Sequence, residues 1–119
     1  MPHHRPVTRD GTAPETTRPD PAVVLEGDPV HTTWNLEARG ALWCGLWQST
    51  PGTWRVDYAE WEYVRILEGV SVVTEDGEAP VTLRAGDSHI LRPGFRGTWQ
   101  VLETTLKDYV ILAQPPAAA

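Results

Sequence analysis

The sequence predicts an all-β domain, an antiparallel barrel or sandwich. Three observations carry this. Short runs of alternating apolar and polar residues, such as Tyr63-Val64-Arg65-Ile66, are cut at close intervals by Gly, Pro and Asp. Asp76-Gly77 stands between two such runs, and Asp-Gly is the strongest short-range hairpin signal. No segment of helical period and useful length occurs.

Composition bounds the reading further. A chain of 119 residues with 40% hydrophobic content is expected to form one domain with a sizeable core. The net charge of −6 offers no basic stripe for phosphates, so no nucleic-acid partner is expected. No apolar run reaches the length of a membrane span, and the N-terminal stretch lacks the apolar region of a signal peptide. Cys44 is the only cysteine, which rules out an intrachain disulfide and makes a reducing, cytoplasmic compartment the expectation. Six Trp against one Phe is an unusual balance; Trp rings suit either a cavity wall or a core and subunit interface.

The elements follow in order. Residues 1–20 are rich in Pro, Thr, Arg and Asp and cannot bury enough surface to offset ordering, so this tail is expected to be disordered or draped on a neighbour. The domain proper is expected over 21–113. Ala22–Leu25 reads as a short strand and His31–Leu36 as the next, the latter from its β-branched and aromatic residues. Ala41–Gln48 is almost wholly apolar and reads as a buried strand, with Gly45 relieving a close contact. Ser49-Thr50-Pro51-Gly52 turns the chain. In the strand that follows, alternation puts Val64, Ile66 and Glu62 on one face and Arg65 on the other, so Glu62 is expected to point inward. Glu68-Gly69 reads as a turn, Val70–Thr74 as a strand, Asp76-Gly77 as a hairpin tip and Ala79–Leu83 as the return. Arg84–Asp87 is a turn, Ser88–Leu91 a strand, Arg92–Gly97 a loop, and two strands, Thr98–Glu103 and Lys107–Leu112, finish the sheet. Residues 114–119 read as a frayed end.

Several of these residues also form a pattern: Glu62 followed by Gly69, Asp76-Gly77, Gly86-Asp87, Gly94-Phe95-Arg96-Gly97-Thr98-Trp99 and Lys107-Asp108-Tyr109. It resembles the two conserved motifs of the cupin superfamily, and within it the small single-domain "cupin 3" family, which is similar to the cupin units of ureidoglycine aminohydrolases. The resemblance covers about residues 22–112. It implies an RmlC-like antiparallel jelly-roll barrel of the cupin type. It also implies where a metal would sit, because cupins hold a divalent first-row ion with imidazoles and one carboxylate. Only Glu62 survives of that set. The first two His positions fall near Val56 or Asp57 and near Tyr58, the third falls on Gly97, and the terminal Asn falls on Val101. No cofactor is therefore expected; a divalent transition metal would have Glu62 and His89 at most.

The candidate catalytic residues are Glu62, Lys107, Tyr109 and Tyr58. A carboxylate on an apolar strand face is costly unless it is paired or functional, and Lys107 and Tyr109 share a strand parity that lets them meet it. The candidate ligand-binding residues are Trp54 and Trp99, flanking the two motifs, together with Arg92 and His89. The expected partners are a small polar organic molecule in a Trp-lined barrel and a second copy of the chain, contacting near Val23 and Ala41–Gln48. Fold does not fix reaction. The sequence leaves open an acid/base enzyme, a metal-dependent hydrolase and a non-catalytic metabolite-sensing module.

Overall fold

The computed structural model describes residues 2–113; the segment 114–119, expected to fray, lies outside the described residues. The strands are β1 (Glu15–Thr17), β2 (Val24–Gly27), β3 (His31–Arg39), β4 (Leu42–Ser49), β5 (Gly52–Asp57), β6 (Trp61–Glu75), β7 (Val81–Arg84), β8 (Ser88–Leu91) and β9 (Arg96–Leu112). All pairings are antiparallel. Among the described residues there is no α-helix, and no helix is long and apolar enough to cross a membrane.

Two long strands create the architecture. The first part of β6, 61–66, pairs with 107–112 of β9, and its second part, 70–75, pairs with 97–103. The C-terminal part of β9 also takes β4, and its N-terminal part takes β5. One layer is thus β1-β3-β4-β9-β6-β8, and the other is β2-β5-β9-β6-β7. Their inner faces share one apolar core, which includes Val64, Ile66 and Leu91 from the first layer and Val73, Leu83 and Val101 from the second. This is the antiparallel two-layer class that the turn spacing predicts and the jelly roll that the motif resemblance implies.

The bends between the layers correct two expectations. Glu68-Gly69 is no turn between strands: β6 runs through it with register shifts from Ile66 to Ser71. β9 likewise runs unbroken where a gap was expected between Glu103 and Lys107. The physical reason is a pair of opposed bulges. Gly69 has φ +89°, and a Cβ there would strike the carbonyl oxygen of Thr104 on β9. Only glycine allows both the positive φ and the close crossing. A third correction concerns the expected strand Ala22–Leu25. Pro21–Val23 form a 3-10 turn, and extended backbone begins only at Val24. Pro21 fixes the entering φ, and Asp20 Oδ1 accepts from the Ala22 N–H at 2.9 Å, which favours the turn over a strand.

Two local readings are matched by the structure. Arg65 is exposed while Val64 and Ile66 are fully buried. A Cβ at Gly45 would overlap the Trp34 carbonyl oxygen, so this strand crossing requires glycine. β4 lies between β3 and β9, so its backbone is paired on both sides and only its side chains are available to a neighbour. The N-terminal segment follows β3: Glu15–Thr17 pair with His31–Thr33, Arg5 donates to the Leu36 carbonyl at 3.0 Å, and the Arg9 guanidinium lies 5.5 Å from the Trp34 ring centre.

Candidate functional site

Strand register assembles the site on the inner face of the first layer. Residues directly opposite in a sheet point to the same side. Thr33 faces Trp47, Trp47 faces Lys107, and Lys107 faces Ile66. One row further on, Gly45, Tyr109, Val64 and His89 align, and beyond them Trp43, Ile111, Glu62 and Leu91. From the opposite layer, paired Trp54 and Trp99 close over these rows. Gly45 contributes no side chain, and the space above it is taken by the Tyr109 phenol, whose hydroxyl donates to Asn35 Oδ1 at 2.7 Å.

Between the layers lies a cavity of about 260 Å³ lined by His31, Thr33, Trp47, Trp54, Tyr58, Glu62, Trp99, Lys107, Tyr109 and Ile111. Its charged groups form one ion pair. Lys107 Nζ donates to Glu62 Oε2 at 3.3 Å, and both side chains are buried. Lys107 and Glu62 stand two rows apart, roughly 13 Å along the strand, so each side chain must extend over Tyr109 to meet the other. The ammonium also lies 4.4 Å from the Trp47 ring centre and 4.3 Å from that of Trp99. The cation is therefore held by a carboxylate on one side and by two π faces on the others.

The Trp99 ring is itself fixed. Its Nε1–H donates to Ser71 Oγ at 3.1 Å; Ser71 donates to Thr105 Oγ1 at 2.7 Å; Thr105 donates to the Glu103 carbonyl at 2.9 Å. The last donation fixes the direction of the chain, because each hydroxyl has one proton to give. Ser71 and Thr105 sit at the two interlayer bends, so the network that orients Trp99 also ties the bends together.

His31 packs tilted against Trp47 and Trp54, with ring centres 5.0 Å and 4.6 Å away, and its Nε2 is buried with no hydrogen-bond partner among the described residues. Burial, and then the nearby Lys107 ammonium, lower its pKa to about 4. The ring is thus a neutral imidazole at neutral pH. A pH dependence follows. The unfolded imidazole titrates near 6.5 and the folded one near 4, so the folded state takes up this proton less readily. Stability is full above about pH 6.5 and falls as pH drops through the window from 6.5 to 4. The expected loss from this group is on the order of 2 kcal/mol, the full shift being discounted for the ring's partial exposure. Urea unfolding of wild type and His31→Phe at pH 7 and pH 4 measures it: the variant should lose less stability between the two. Equal losses would show that His31 does not couple to folding. The two phenols are held protonated. Burial and then Glu62 raise the Tyr58 pKa, and burial, Cys44 and Glu62 push Tyr109 up to about 12.

Six of the residues singled out from the sequence, Glu62, Lys107, Tyr109, Tyr58, Trp54 and Trp99, meet in this cavity. Two do not. Arg92 is exposed in the β8–β9 loop beside Pro93 and Phe95. His89 lies opposite Val64, half-buried, and is not among the lining side chains. His31 and Trp47 line the cavity, although neither was singled out. Their signal was present: Thr33 and His31 share a parity on β3, and Trp47 follows Gly45 on the same parity of β4. The donor set does not fit a divalent first-row ion. Glu62 Oε2 is bonded to an ammonium, and among the described residues no three His, Cys, Asp or Glu side chains are grouped to hold a metal.

Comparison with known proteins agrees with this architecture. The sequence profile of the EutQ-like cupin domain matches residues 36–109. No curated protein matches the chain. Among solved structures, a DUF861-family protein of unknown function from Pseudomonas syringae superposes with a TM-score of 0.78 at 24% identity, over 88% of this chain and 46% of that one. This chain therefore spans about half the length of that protein. The EutQ protein of Clostridium difficile superposes with a TM-score of 0.66 at 19% identity, over 74% of this chain and 71% of that one. A putative ethanolamine utilization protein Q from Salmonella typhimurium gives 0.63 at 17%, over 85% and 96%. With a profile match across most of the jelly roll and the same fold in these structures, the chain belongs to the EutQ-like cupin domain family.

Proposed function

We propose that the protein binds a small polar organic molecule in the Trp-lined cavity, with Glu62 as the principal polar anchor. The observation that carries this reading is the buried Glu62–Lys107 pair inside an aromatic-walled space. Replacing a buried ion pair by apolar residues is often neutral or stabilising, so stability is a weak reason for its presence. A cavity with a few convergent polar groups among aromatic walls is the general form of a ligand site. At about 260 Å³ it lies just below the usual range of roughly 300–1,000 Å³, which favours a small ligand. If the molecule is also turned over, Glu62 is the group suited to move its proton, because Tyr58 and Tyr109 hold theirs.

The test is a screen of small polar metabolites by intrinsic Trp fluorescence and thermal shift, repeated on Glu62→Gln. The amide keeps the shape and removes the charge. The expected result is a hit on wild type that weakens at least tenfold in Glu62→Gln while the variant stays folded by circular dichroism. A hit unaffected by this variant would place binding elsewhere.

A further inference from the structure

Several of the cavity's polar groups are already engaged. The Tyr109 hydroxyl is spent on Asn35, and Trp99 Nε1 is spent on Ser71. Lys107 gives one N–H to Glu62 Oε2, and two π faces lie against the rest of its ammonium. Glu62 Oε1 receives no hydrogen bond from the described residues, and neither does the Tyr58 hydroxyl, although both side chains line the space. What remains open to a ligand includes an acceptor on Glu62, a hydroxyl on Tyr58 and the buried His31 Nε2, which has no partner among the described residues.

The charge balance is equally specific. Glu62 and Lys107 cancel each other, and neutral His31 adds nothing. A ligand with one formal charge would leave that charge buried and uncompensated, which is costly. Two Trp faces beside a carboxylate would by themselves form a trap for an ammonium ion. Lys107 already fills that trap with its own side chain. A ligand amine must either displace it from a carboxylate and two rings together or sit at Glu62 Oε1 as a second, uncompensated cation beside it.

We propose that Lys107 is the specificity arm of this cavity: by occupying Glu62 Oε2 and the Trp47 and Trp99 faces it excludes amines and reserves the space for an uncharged ligand, such as a carboxamide, that donates to Glu62 Oε1. This rests on the reading of the cavity as a ligand site. Such a ligand meets two of these open groups, since an amide N–H suits the Glu62 acceptor and its carbonyl suits the Tyr58 hydroxyl. Lys107 acts here by position and charge, leaving the direct contacts to Glu62 and Tyr58.

A matched set of probes tests this: butyramide, butylamine and butyrate, titrated while the Trp indole N–H resonances are followed by NMR. On wild type, butyramide should bind at least tenfold more tightly than either ion. On Lys107→Ala the order should invert, with butylamine binding best and raising the melting temperature by filling the vacated trap. Lys107→Gln provides a second variant should the alanine protein not fold, with the same inversion expected. Adding Glu62→Gln to either variant should abolish amine binding, because the trap then lacks its carboxylate. Wild-type protein that takes butylamine or butyrate as tightly as butyramide would overturn the specificity role while leaving the cavity a ligand site. No shift of any indole resonance with any probe, in wild type or variant, would overturn both.

Discussion

Lys107→Met is expected to destabilise the fold by roughly 3–5 kcal/mol, because it leaves the Glu62 carboxylate buried without its counter-ion. No second cation on the cavity wall replaces the lost partner: burial disfavours the cationic form of His31, the Tyr109 hydroxyl is engaged with Asn35, and the Tyr58 hydroxyl can offer only a neutral hydrogen bond. The reciprocal change is expected to cost less. In Glu62→Gln the ammonium keeps both Trp faces, each a contact of about 0.5–2 kcal/mol, and the amide oxygen still accepts its hydrogen bond. A loss of about 1–3 kcal/mol is expected there. The double variant should be more stable than Lys107→Met alone, since it removes both charges from the interior. Urea unfolding of the four proteins gives the coupling energy directly. A Lys107→Met protein within 1 kcal/mol of wild type would mean that the pair is hydrated in solution.

The second large effect is expected at the interlayer bend. Gly69→Ala should cost roughly 3–5 kcal/mol, from two sources. An L-residue at φ +89° costs about 1–2 kcal/mol. Its Cβ would also meet the Thr104 carbonyl on β9, and relieving that contact means displacing the facing bulge, an overpacking cost of about 1–3 kcal/mol. Gly77→Ala separates the two contributions. Gly77 has φ +84° at the hairpin tip, yet nothing lies within 4 Å of a Cβ there. It should lose only the conformational part, about 1–2 kcal/mol. Equal losses at the two glycines would show that the crossing of β6 and β9 relaxes freely. Displacing the bend also carries a prospect for the site, since Thr105 and Ser71, which orient Trp99, are its neighbours.

These two cases show what sequence reading reaches. Local rules placed Val64, Ile66 and Glu62 on one face of β6, the Asp76-Gly77 hairpin, the glycine requirement at Gly45 and the antiparallel all-β class; the jelly roll itself was what the motif resemblance implied. Each of the local readings depends on a period of two or on the steric needs of one residue, and both are properties of a short window. The same parity brought Lys107 and Tyr109 toward Glu62. The bends at Gly69 and near Thr104 read as chain breaks because a bulge interrupts the period just as a turn does. Only pairing across the sheet shows that β6 and β9 continue through them and carry both layers.

The composition of the cavity was decided at the tertiary level. His31 and Trp47 belong to strands outside both motifs, and only register with β9 brings Trp47 against Lys107. Arg92 and His89 sit beside motif residues in the chain, yet the loop carries Arg92 to the surface, and His89 stands beyond Val64 from the cavity. The sequence by itself determined the fold class, the inward carboxylate and the glycines on which the crossings depend, because these follow from local geometry. Tertiary structure alone decided which cation Glu62 meets and which rings surround it, because opposition of side chains across strands and layers is a property of register and bending that no single stretch encodes.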